Sequence, residues 1–189
     1  MTLKEQIQNY NPYNIQEALD KEYILQFMNI FEDTLTRKNV FGHFSSSAFV
    51  VNKERNKMVV VYHKILDNWF YPGGHADGEA NLLNVAHREV LEETGLDAKI
   101  LSPDIFSIQL FAVPTHVRKE NHVSAHMHLD TVYLFEADDT IPLKYREDES
   151  SGIKWISFED AMKKEYTGRC SETYKKLINK IRKENSVVT

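Results

Sequence analysis

Apolar positions between Asn14 and Thr36 recur at three- and four-residue intervals: Ile15, Leu19, Tyr23, Phe27, Ile30 and Phe31. That is the helical period, and it predicts an amphipathic helix over about residues 14–36 whose apolar stripe needs a packing partner. The pattern then shortens. Ser47–Val51 and Met58–His63 are apolar runs separated by a polar stretch at 52–57, which predicts a β-hairpin. Trp69-Phe70-Tyr71 reads as a short strand ended by Pro72-Gly73-Gly74, since proline lacks an N–H and glycine accepts unusual dihedrals. A helix is expected from about Asn81 to Thr94, stopped by Gly95 as a left-handed cap. Strands follow at about 105–113, 125–136 and 152–156, then helices near 158–164 and 171–183. The order helix, strands, helix, strands, helices predicts an α/β chain with a mixed sheet and helices on both faces.

A length of 189 residues suits one domain with a substantial core. The formal net charge of -5 argues against bulk attraction to nucleic acid or anionic lipid. A phosphate-bearing substrate stays compatible with it, provided bound cations supply positive charge locally. Cys170 is the single cysteine, so no internal disulfide can form, and it reads as a small packing side chain rather than a nucleophile. No run approaches the roughly 18 apolar residues of a membrane span. The first residues, Met1-Thr2-Leu3-Lys4-Glu5-Gln6, carry no apolar signal core. The expectation is a cytoplasmic protein with no membrane partner.

Chemistry concentrates in Gly73-Gly74-His75-Ala76-Asp77-Gly78-Glu79 and in the helix ending Arg88-Glu89-Val90-Leu91-Glu92-Glu93-Thr94-Gly95-Leu96. Glu89, Glu92 and Glu93 stand at i, i+3 and i+4, so at about 100° per residue they share an arc of about 100°. Like charges at these spacings repel by roughly 0.2–0.5 kcal/mol per pair. Arg88 can offset one of them, and a hard divalent cation, which prefers carboxylate oxygen, can offset the rest. Glycines at a strand end let backbone groups approach such a cation or a phosphate. A merely solvated charged face is the bland reading of the same three glutamates.

Taken together, this stretch resembles the Nudix box: Gly, five residues, Glu, seven residues, then Arg-Glu-apolar-any-Glu-Glu-any-Gly-apolar. The second half matches at Arg88, Glu89, Val90, Glu92, Glu93, Gly95 and Leu96, and Gly74 lies at the correct distance from Arg88. The first glutamate of the pattern falls on Ala80, with Glu79 one place early.

The resemblance implies a Nudix-type α/β/α sandwich with a mixed sheet; with the extra N-terminal helix that the periodicity predicts, the chain is expected to divide into an extension over 1–40 and a Nudix domain over 41–189. It implies metal-dependent hydrolysis of a phosphoanhydride bond in a nucleoside diphosphate linked to another moiety. Carried onto this chain, Glu92 and Glu93 are the principal Mg²⁺ or Mn²⁺ ligands. Glu89 is a third ligand or the base that activates water, Gly73 offers a backbone carbonyl, and Arg88 orients the glutamates. Glu149, in the acidic run before Trp155, is a further expected ligand or base.

His126, His128 and Asp130 alternate, so in a strand they share a face. Substrate contact, a Zn²⁺ site and plain satisfied polar residues are all open for them. His75, His126, His128 and Arg118 are the candidates for contacting a small nucleotide-type diphosphate. The alternative function is a Nudix-fold ligand-binding or regulatory domain without catalysis, motivated by the displaced Glu79. An isomerase on the same scaffold would want a well-placed Cys, which Cys170 is not. The first helix hints at a homodimer.

Overall fold

A computed structural model describes residues 1–64, 67–118, 120–144 and 150–187. In chain order the helices are α1 (Leu3–Asn9), α2 (Ile15–Ile30), α3 (Leu82–Thr94), α4 (Phe158–Ala161), α5 (Lys164–Thr167) and α6 (Ser171–Val187). The strands are β1 (Gly42–Val51), β2 (Lys57–His63), β3 (Asn68–Phe70), β4 (Gly73–His75), β5 (Lys99–Ile100), β6 (Ser107–Val113), β7 (His116–Arg118), β8 (Asn121–Val123), β9 (His126–Glu136) and β10 (Ser150–Ser157). This is the expected mixed α/β chain. Among the described residues no helix is long and apolar enough to cross a membrane.

Two compact units interleave along the sequence, and β1, β9 and α3 each run through both. The first unit takes Met1–Ser47, Gly73–Arg88 and Ser102–Tyr133. Here the first half of β1 pairs antiparallel with β4, and β9 pairs antiparallel with β6 from Ser107↔Val132 to Val113↔His126. Strands β7 and β8 form a separate hairpin. β1 neighbours β9, and the two run in the same direction: Met127 N–H donates to Phe41 O near their starts, and Ala137 N–H donates to Val51 O at their ends. That parallel pair makes the sheet mixed.

The N-terminal helices close this unit through one buried carboxylate. Glu17 on α2 has no exposed surface, and it accepts from Tyr10 Oη at 2.6 Å, Tyr13 N–H at 2.7 Å and Ser107 Oγ at 2.6 Å. A buried charge needs this many donors to offset its lost hydration. Asn14 caps α2 by accepting from Glu17 N–H.

Three expectations change here. Helix α1 was not legible from periodicity; its signal is the capping box of Thr2 and Glu5. α2 stops at Ile30, because Asp33 takes the N–H groups of Leu35 and Thr36 into a turn. The expected apolar stripe faces inward only at its C-terminal end: Phe27 is buried and Phe31 half-buried, whereas Ile15, Leu19, Tyr23 and Ile30 are exposed and the rest of the buried face is Glu17 and Ile24. The face with the satisfied carboxylate is the one that packs.

The second unit takes Ala48–Pro72, Glu89–Leu101 and Leu134–Thr189. Its strand order is β10-β2-β1-β9-β5, with β3 on β2. The hairpin forms as expected, with Val51 opposite Met58. Asn52 Oδ1 accepts from the N–H groups of Asn56 and Lys57 to close its turn. Helix α6 buries Tyr174, Leu177, Ile178 and Ile181, the spacing of one helix face, and Tyr174 Oη donates to Trp69 O at 2.9 Å. Cys170 is buried in this unit, as a packing residue should be.

Candidate functional site

Helix α3 starts on polar side chains. Asn81 Oδ1 accepts from Asn84 N–H at 3.4 Å, and the Glu79 carboxylate accepts from Asn81 N–H at 2.6 Å. Glu79, the acid displaced by one place from the box pattern, thus holds the helix entrance. Nearby, Asp77 forms a two-pronged ion pair with Arg37 at 2.7 and 2.6 Å. The helix ends at Gly95, whose φ of 69° and N–H bond to Leu91 O make the expected cap.

Leu82, Val85, Ala86 and Val90 are buried along α3, and Leu83 is only partly so. Glu89 and Glu93 project along the same arc as this buried face and are partly buried, whereas Glu92 and Arg88 are exposed at its edge. Two carboxylates on the inward arc of a helix are not a solvated back. They place carboxylate oxygens along one side of a rigid element.

Gly73 and Gly74 do not merely end a strand, as their composition suggested; they form β4. Gly73 lies opposite Ser47 and His75 opposite Ser45. A Cβ on Gly73 would come within 2.3 Å of Ser47 Oγ and 2.9 Å of its Cα. Glycine is thus required for the close approach of β4 to β1, not only for turn freedom. Asp130, on β9, is buried and accepts from Ser45 Oγ and Ser47 Oγ at 2.8 Å each.

Alternation along these strands puts His43, Ser45 and Ser47 on one face of β1, and His126, His128 and Asp130 on one face of β9. The rings of His43, His75, His126 and His128 gather there. Centroids are 5.2 Å apart for His43–His75, 5.0 Å for His43–His126, 5.1 Å for His43–His128 and 4.7 Å for His75–His128. Nε2 of His126 lies 3.2 Å from Nε2 of His128. His43 is 4% exposed, and burial is the first cause holding its pKa below the usual histidine value; the neighbouring His126 and Arg37 charges act in the same direction.

The sequence reading found three of these four histidines. His43 was missed because the strand was expected to begin at Ser47; the polar alternation of His43, Ser45 and Ser47 was the available signal. Arg118 pairs with Asn121 through the backbone of the β7–β8 hairpin. Glu149 lies outside the described residues.

Comparison with known proteins bears on the family and the fold. The NUDIX domain family matches residues 43–177, most of the chain. A hydrolase of the NUDIX family from Clostridium perfringens shares the fold, with a TM-score of 0.51 at 20% identity over 72% of this chain and 96% of that one. A C. elegans Ap4A hydrolase, solved as a binary complex, aligns at a TM-score of 0.49 and 17% identity over 76% of this chain and 97% of its own. No curated protein matches the sequence. The chain belongs to the NUDIX domain family and is a Nudix-type hydrolase.

Proposed function

We propose that the protein uses a divalent cation, Mg²⁺ or Mn²⁺, to hydrolyse a phosphoanhydride bond in a nucleoside diphosphate linked to another group. The observation that carries this reading is the placement of Glu89 and Glu93 on the inward arc of α3 beside Glu92. The donor set fits the ion: three carboxylates on one helical arc suit a hard cation and offer nothing to a soft one.

In this reading Glu92 and Glu93 hold the cation. Glu89 completes the set or takes the proton from the attacking water. Arg88, one residue before Glu89, keeps the carboxylates oriented. When bound, the cation supplies positive charge where negative charge grows on the phosphoryl oxygens.

The test is a panel of nucleoside diphosphate sugars, dinucleoside polyphosphates, dinucleotide cofactors and nucleoside triphosphates, read as phosphate release after a phosphatase step. The wild type should turn over at least one member with Mg²⁺, and Glu92→Gln should lose about a hundredfold or more. Equal turnover by the two proteins would remove the carboxylate array from the chemistry. A wild type that binds no Mg²⁺ or Mn²⁺ and leaves the whole panel intact would favour a ligand-binding domain instead.

A further inference from the structure

The four clustered histidines are separate in chemistry from the carboxylates of α3, and they are all in the first unit. His43 on β1, His75 on β4 and His128 on β9 each offer one ring nitrogen, and these three atoms lie within 4.8 Å of one another. Zinc–imidazole bonds of about 2.0–2.1 Å put the ligand nitrogens of a tetrahedral site about 3.3 Å apart. Closing to that spacing calls for rotation of the half-buried His75 and His128 rings. Nε2 of His126 lies 3.2 Å from Nε2 of His128, within hydrogen-bonding distance, so His126 borders the group.

His43 shows what kind of ligand the cluster is built for. Its Nδ1 lies 3.2 Å from Asn39 O. A carbonyl oxygen can only accept, so Nδ1 carries the proton and Nε2 carries a lone pair. That Nε2 is buried and without a hydrogen-bond partner. An acceptor lone pair does not attract phosphate or carboxylate; it attracts a Lewis acid. Fixing the outer ring nitrogen on a backbone carbonyl is also how metal-ligating histidines are oriented. His126 repeats the device, with Nδ1 2.9 Å from Ser124 O.

We infer that His43, His75 and His128 form a binding site for a borderline transition-metal cation of the Zn²⁺ class, bordered by His126. Three imidazoles without a thiolate suit Zn²⁺, Co²⁺ or Ni²⁺ and are poor ligands for Mg²⁺. The site is therefore distinct from the one proposed on α3, and each reading can fail without the other.

The experiment uses full-length, tag-free protein stripped with a chelator. Zn²⁺ is titrated calorimetrically in excess Mg²⁺, and Co²⁺ is added separately to look for the visible absorption of a tetrahedral nitrogen site. One equivalent of Zn²⁺ should bind. His75→Ala and His128→Ala should each weaken it by at least about a hundredfold, while Glu92→Gln and the exposed His122→Ala leave it unchanged. His43→Gln is included with a circular dichroism check, and the two more exposed histidines carry the test if that variant unfolds. Absence of Zn²⁺ binding by the wild type overturns the inference. So does unaltered affinity in His75→Ala and His128→Ala, or loss of binding in Glu92→Gln, which would put the cation on α3.

Discussion

At Gly73 a single hydrogen atom stands where any other side chain would meet Ser47. The contact is with backbone as well as side chain, 2.9 Å to Cα, so no rotamer change relieves it. Gly73→Ala should therefore destabilise the protein by about 1–3 kcal/mol, the range for forcing an extra methyl into a packed site. Urea unfolding with an unchanged slope measures it, and Ser47→Gly in the same chain should recover only part of the loss because the Cα clash remains. Full stability in Gly73→Ala would mean that β4 can move off β1 without cost. The sequence showed that glycine mattered here but not why. A glycine pair after proline reads as a turn, and nothing local says that the next three residues pair with a strand far back in the chain. His43 was hidden by the same limit. Its partners come from β4 and β9, so its chemistry exists only after the strands assemble.

Among the elements, α3 was the most legible and α2 the least. α3 carries cap, period and stop signal in one uninterrupted segment, and its glutamates are fixed relative to one another by helix geometry alone. In α2 the period was right, but of the expected stripe within the helix only Phe27 is buried. Ile15, Leu19 and Tyr23 advertise an apolar stripe, yet the buried face carries Glu17, a residue that polarity scoring sends to solvent. A satisfied carboxylate can be buried once Tyr10, Tyr13 and Ser107 are in place, and those partners lie outside the helix. For α3 the element-scale prediction is a thermal shift. A ligand that binds the folded state at a hundred times its Kd adds about 2.7 kcal/mol. Saturating Mg²⁺ should thus raise the wild-type melting temperature, and Glu93→Gln should abolish most of that rise while still folding. A rise of equal size in the variant would show that the cation binds elsewhere.

For the whole molecule, alkaline pH probes the two units at once. Tyr10 and Tyr133 belong to the first unit and Tyr174 to the second, and all three are buried. Burial pushes Tyr133 up to about 12 and Tyr174 well above the usual phenol value. Tyr10 is raised by burial first, then by its hydrogen bond to Glu17 and that residue's charge. An unfolded tyrosine loses its proton near pH 10. Since the folded values lie higher, the unfolded chain releases protons first as pH rises. The stability held by these neutral phenols is therefore complete below about pH 10 and drains away above it. The melting temperature should stay level to about that pH and then fall steeply. Absorbance should show tyrosinate forming in two stages, with the buried tyrosines ionising together with unfolding. Tyr10→Phe separates the causes. It leaves the Glu17 carboxylate short of a donor, so it should cost about 1–3 kcal/mol at neutral pH. It also removes one of the three phenols responsible for the alkaline fall, so its stability curve should approach that of the wild type as pH climbs past 10. Parallel curves at all pH values, or a single-stage titration of every tyrosine in the still-folded protein, would show that these hydroxyls are not sealed from solvent.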